Sequence, residues 1–233
     1  MRRDTLTVII GKRKSGKSTL LRGGRSVGRG IVKSAGADLR FVLDPRNEWS
    51  KGLRFSSVTG PKGLQAALRA YARGNYDPPF KRWIVQVGHP ARISNFFDLL
   101  APNQRRGKPG VPGLLVLDEA SEYQTPHDLS GGLRRIINLG GNDEQSVIVV
   151  ARLWRQLHRE IRQNADAVIS FRGAATDTIR EIGRTIDPGA EKIRDLKRHE
   201  FCVLGETRDI DFADYLRSLD SFVQTEEQQW DAT

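Results

Sequence analysis

The stretch that most constrains this chain is Gly11-Lys12-Arg13-Lys14-Ser15-Gly16-Lys17-Ser18, which fits the pattern G-x-x-x-x-G-K-[ST]. The apolar, β-branched run Thr5-Leu6-Thr7-Val8-Ile9-Ile10 precedes it and reads as a buried strand, and Thr19-Leu20-Leu21 follows as a helix start. Each residue type answers to a need of a bound triphosphate. Gly11 and Gly16 allow the backbone to curl so that its N–H groups point inward at phosphate oxygens. The helix start adds partial positive charge. Lys17 is placed to reach the β- and γ-phosphates, and the Ser18 hydroxyl is a ligand for Mg²⁺. The expected nucleotide-binding set is Gly11, Lys14, Ser15, Gly16, Lys17, Ser18 and Thr19, with ATP and Mg²⁺ as the bound species.

A second motif fixes the reaction class. Gly113-Leu114-Leu115-Val116-Leu117-Asp118-Glu119 is an apolar run ending in two carboxylates, the pattern of a strand buried on both faces with Asp118 at its tip. Beside a phosphate loop, Asp118 is expected to hold Mg²⁺ together with Ser18. Glu119 can orient and activate a water for attack on the γ-phosphate, which makes the site a hydrolase. A small-molecule kinase needs an acceptor pocket instead and has no use for a water-activating carboxylate there.

Composition narrows the partners. The 233 residues hold 38 Lys+Arg against 28 Asp+Glu, a net charge of +10 that favours a polyanion such as nucleic acid. With no base-reading module in the chain, binding to double-stranded DNA is expected to be independent of sequence. The lone Cys202 excludes an intrachain disulfide and fits a reducing compartment. No apolar run approaches the roughly 20 residues that span a bilayer, so no integral membrane segment is expected. Met1-Arg2-Arg3 resembles the opening of a signal peptide, but its apolar stretch is short and runs into the phosphate loop.

Strand and helix patterns alternate along the chain. Leu39–Leu43 reads as a strand closed by Asp44-Pro45, leaving Asp44 and Glu48 at a C-terminal strand edge, where α/β folds place their sites, or in a simple turn. A helix is expected from Gly60-Pro61 through Ala72, a strand at Trp83–Val87, and a helix at 91–100 with Ile93, Phe96, Phe97 and Leu100 inward. The basic loop Pro102–Gly113 reads as a flexible connector or a DNA-touching loop. Leu129-Ser130-Gly131-Gly132 resembles the ABC-transporter signature but follows the acidic strand instead of preceding it, so it reads as a helix start. Strands at Ser146–Ala151 and Ala167–Phe171 flank a helical, basic stretch over Trp154–Asn164. A hairpin, Phe201–Leu204 against Arg208–Phe212, and a polar tail close the chain. The pattern predicts one P-loop ATPase domain over 1–233, with a core of about 5–175 and the hairpin and tail at about 200–233. Its fold class is α/β, a mainly parallel sheet with helices on both faces.

Four blocks together resemble the FtsK–HerA superfamily: the phosphate loop, Leu43-Asp44-Pro45-Arg46-Asn47-Glu48-Trp49, the Leu114–Glu119 strand, and Val147–Arg152 with Asn164-Ala165-Asp166 through Arg172. Within it, the chain is similar to the compact genome-packaging ATPases of tailless icosahedral DNA viruses. The resemblance implies a RecA-like domain in a homo-oligomeric ring, expected to be hexameric, with DNA in its channel and capsid or vertex proteins as partners. It implies location at the packaging vertex of a virion or in host cytoplasm. It assigns catalysis to Glu119, Lys17 and Arg152, the last as a polar sensor of the γ-phosphate in the same subunit. Many relatives carry a trans-acting Arg in the turn occupied here by Gly140-Gly141-Asn142-Asp143. That role therefore stays open among Arg134, Arg135, Arg155, Arg159 and Arg172. A second reading is an ATP-dependent switch that remodels a complex in virus assembly or DNA partition without moving along DNA.

Overall fold

The computed structural model describes residues 5–23, 30–34, 39–45, 56–58, 83–87, 96–107 and 109–205, with the isolated helical residues Ala66 and Arg69. Asn47, Glu48, Trp49, Ile93, most of the helix expected over 60–72, the hairpin arm at 208–212 and the acidic tail lie outside them.

The strands are β1 (Leu6–Ile10), β2 (Leu39–Leu43), β3 (Ser56–Val58), β4 (Trp83–Val87), β5 (Gly113–Leu117), β6 (Gln145–Ala151), β7 (Ala167–Phe171) and β8 (Phe201–Gly205). They form one sheet in the order β3-β4-β2-β5-β6-β1-β7-β8. Every pairing is parallel except that of β7 with β8. The phosphate-loop strand β1 therefore lies between β6 and β7, in register with both (Val8 opposite Val149 and Val168). All residues of β1, β6 and β7 are buried, as mostly apolar strands rich in Val and Ile are in a sheet covered on both faces.

Helices cover both faces. Leu20 and Leu21 of α1 (Lys17–Arg22) and Ile31 and Val32 of α2 (Ile31–Ser34) pack on one face, against Ile9, Val116, Ile148 and Ile169. The other face carries α3 (Phe96–Leu100), α4 (Gly131–Leu139), α5 (Arg159–Asn164) and α6 (Thr176–Thr185). Phe96, Phe97, Leu100, Leu133, Ile136, Ile161, Ile179 and Ile182 enter that core, so the aromatic pair expected to face inward does so. Ser130 caps α4 by accepting a hydrogen bond from Leu133 N (3.3 Å), worth about 1 kcal/mol, as a helix start demands.

Three expectations change. The edge strand β3 is additional. The helix expected across 154–164 is broken into a 3-10 turn at Trp154–Gln156 and α5, with Leu157 extended between them. The break has a partner: buried Gln124 donates to Gln156 O (2.9 Å) and accepts from His158 N (2.6 Å). The Pro102–Gly113 loop is pinned at its base, because Gln145 Nε2 donates to both Leu100 O (3.0 Å), just before it, and Val111 O (2.8 Å), near its end. Of the expected hairpin, the arm Phe201–Leu204 is present within β8, and it pairs antiparallel with β7.

Candidate functional site

The phosphate loop joins β1 to α1 and turns on two close approaches. A Cβ at Gly11 would meet Ser15 Oγ at 2.7 Å and Phe171 Cβ at 2.8 Å, and Gly16 has φ 109°. A side chain at either position would push the loop off its path. Lys14 also takes the left-handed region (φ 61°), as a tight loop of inward-facing N–H groups requires. Ser15 Oγ is buried with no hydrogen-bond partner, an orphaned hydroxyl inside the loop. Lys17 Nζ donates to Gly11 O (2.5 Å) and Lys12 O (2.9 Å). Burial lowers the Lys17 pKa, and the nearby carboxylates of Glu119 and Asp118 oppose that effect only in part.

The acidic strand tip lies two strands away. Asp118 N donates to Leu43 O (3.0 Å), which sets Asp118 beside Asp44 at the end of β2. Asp118 is 9% exposed and Asp44 1%. Glu119 follows in the left-handed region (φ 55°, ψ 62°), a conformation rare for a residue with a Cβ and concentrated at functional sites. The bend turns its carboxylate toward β6, where Glu119 Oε1 accepts from Arg152 Nη2 at 2.9 Å. This hydrogen bond, then the charge of Glu119, raises the Arg152 pKa further. Lys17, Asp118, Glu119 and Arg152 thus form one electrostatic group at the C-terminal ends of β1, β5 and β6.

Two neighbours of this group carry no signal in the sequence. Gln124 ties the segment after Glu119 to the segment after Arg152 through the contacts described above. Tyr123 packs edge-on against Phe97 (6.5 Å), and its hydroxyl is buried without a hydrogen-bond partner. Burial raises the Tyr123 pKa, and the Asp118, Asp44 and Glu122 carboxylates raise it further. Burial and these charges keep the hydroxyl protonated.

The donor set suits Mg²⁺, a hard ion that prefers oxygen: the Ser18 hydroxyl and the Asp118 carboxylate. Among the described residues no group of three His, Cys, Asp or Glu could hold a metal. The arginines divide sharply. Arg134 pairs with Glu160 (2.9 Å), Arg135 with Asp98 (2.6 Å), and Arg155 with Asp177. Arg159 and Arg172 are exposed and carry no ion pair among the described residues. Arg172 follows the end of β7, on the flank of the phosphate loop away from Glu119.

A phosphate loop on an interior strand, an acidic strand two places away and a mostly parallel sheet with helices on both faces define a RecA-like P-loop NTPase fold. The chain is similar in that fold to the genome packaging NTPase B204 of Sulfolobus turreted icosahedral virus 2. Its complex with AMP matches at a TM-score of 0.60 and 19% identity, over 90% of this chain and 100% of that one. The complex with AMPPCP matches at 0.59 and 18%, over 87% and 93%. The pCW3 conjugation coupling protein TcpA, as a monomer with ATPgS, matches at 0.50 and 12%, over 96% of this chain and 66% of that one. At these identities the likeness is one of fold. No family model matches the chain, and no curated protein does. No helix among the described residues is long and apolar enough to cross a membrane.

Proposed function

We propose that this chain is a Mg²⁺-dependent ATPase that translocates double-stranded DNA, packaging a viral genome into a preformed capsid as one subunit of a hexameric ring. The observation that carries the ATPase reading is the convergence of Lys17, Asp118, Glu119 and Arg152 at neighbouring strand ends, with Glu119 held by Arg152 at 2.9 Å. The motor reading draws support from the likeness in fold to a genome packaging NTPase and a conjugation coupling protein, and from the net charge of +10.

In this reading the loop N–H groups, Lys17 and the orphaned Ser15 hydroxyl bind the phosphates. Glu119 takes a proton from the attacking water as its oxygen bonds to the γ-phosphorus. The bond from that phosphorus to the β–γ bridging oxygen breaks, and ADP leaves. Ser18 and Asp118 would hold Mg²⁺, which would supply positive charge to the phosphates. Arg152 senses the γ-phosphate in its own subunit through its contact with Glu119. Arg134, Arg135 and Arg155 are held by acids of their own chain, which leaves Arg159 and Arg172 as the candidates to reach a neighbouring subunit. Capsid or vertex proteins would anchor the ring at the packaging vertex or in the host cytoplasm.

Steady-state ATP turnover against duplexes of increasing length tests the motor. Translocation predicts turnover that rises with DNA length at equal nucleotide concentration. Stimulation independent of length would favour the switch reading, and none at all would remove DNA as the partner.

A further inference from the structure

The flank of the phosphate loop away from Glu119 carries a residue that the scheme above leaves unused. His199 lies in the turn that enters β8, with its backbone left-handed (φ 71°). Glu200 N donates back to Lys197 O at 3.3 Å, so His199 occupies the third position of a four-residue turn. Positive φ at that position is the habit of glycine and asparagine. The Glu200 carboxylate, which accepts from Lys197 N, closes the turn a second time. The turn therefore holds a histidine in a conformation that glycine would adopt without strain, and such outliers gather where the side chain has a task.

The side chain is exposed and has no hydrogen-bond or ion-pair partner among the described residues. Yet it lies against the phosphate loop. Its Nδ1 is 4.0 Å from the position a Cβ would take on Gly16, on the side where the Phe171 ring also approaches Gly16. Phe171 in turn packs on Phe201 of β8 at 5.5 Å, so this flank has an aromatic floor.

Strand order supplies the direction. Asp118, Glu119 and Arg152 follow β5 and β6, on one side of β1, whereas β7 and β8 lie on the other. A nucleoside triphosphate whose γ-phosphate faces Glu119 must run its α-phosphate and nucleoside toward β7 and β8. We infer that His199 is a base-contacting residue, its imidazole stacking on the heteroaromatic base of the bound purine nucleotide. The inference rests on the nucleotide-binding reading above.

Affinity for ATP and for inorganic tripolyphosphate, measured on the full chain, tests it, because the second ligand has the phosphates without the base. The parent should bind ATP more tightly than tripolyphosphate. His199→Gly should weaken ATP roughly tenfold, the scale of one base–aromatic stack. It should leave tripolyphosphate affinity unchanged and the thermal midpoint equal or higher, since glycine relieves the turn. His199→Phe should restore ATP affinity. Unchanged ATP affinity in His199→Gly, or an equal loss for both ligands, would overturn the assignment while leaving nucleotide binding intact. Failure of the parent to bind either ligand would instead overturn the nucleotide reading itself, and the role of His199 with it.

Discussion

The two ends of this sheet treat polar side chains in opposite ways. At the N-terminal ends of the strands they are bonded to backbone. Asp166 Oδ2 accepts from Leu6 N at 2.8 Å, and Gln145 Nε2 is shared between Leu100 O and Val111 O. At the C-terminal ends, Asp118, Glu119 and Arg152 act on one another and on Lys17, on a backbone bent left-handed at Glu119. The contrast separates two uses of a half-buried charge. A carboxylate that accepts a backbone N–H fixes where a strand begins, and its loss orphans that N–H. A carboxylate paired with a cation at the mouth of a phosphate loop can also accept from water or ligate a metal.

Substitutions at the two ends should therefore fail differently. The largest effect is expected from Lys17→Ala, which removes a charged donor from the phosphate loop. ATP affinity should fall on the order of 10²-fold or more, while the thermal midpoint of the nucleotide-free protein stays near that of the parent. Calorimetric titration and thermal unfolding of the same preparation check both halves. A smaller effect of the opposite kind is expected from Asp166→Ala. It orphans the Leu6 amide at the start of β1 and should cost about 1–3 kcal/mol of stability, with ATP affinity unchanged. If Asp166→Ala weakened ATP binding as much as Lys17→Ala, the distinction between the two ends would collapse.

The central strands were legible because their chemistry is local. β1, β5, β6 and β7 are predominantly apolar runs, and the glycine loop and the Asp118-Glu119 tip follow directly in sequence. Ser130 capping α4 was equally local. What sequence reading missed depends on contacts between distant segments. Ser56-Ser57-Val58 has no apolar pattern, and β4 alone recruits it to the sheet edge. The helix expected over 154–164 breaks because Gln124, more than thirty residues upstream, grips Gln156 and His158. Helical propensity carries no trace of that grip. The pairing of Arg152 with Glu119 likewise exists only once β5 and β6 lie side by side. His199 in its left-handed turn was invisible for the same reason, since its significance comes from the proximity of Gly16.

The proposed hydrolysis rests most directly on Glu119 activating water while the rest of the group binds nucleotide. ATP hydrolysis and ATP affinity should be measured side by side on the parent and on Glu119→Gln, which keeps the side chain's size and removes its charge. Loss of a general base predicts turnover reduced by about 10²- to 10⁴-fold with ATP affinity within a few-fold of the parent. Hydrolysis at the parent rate would contradict the assignment of Glu119 and, with it, the reading of the C-terminal strand ends as a hydrolytic site.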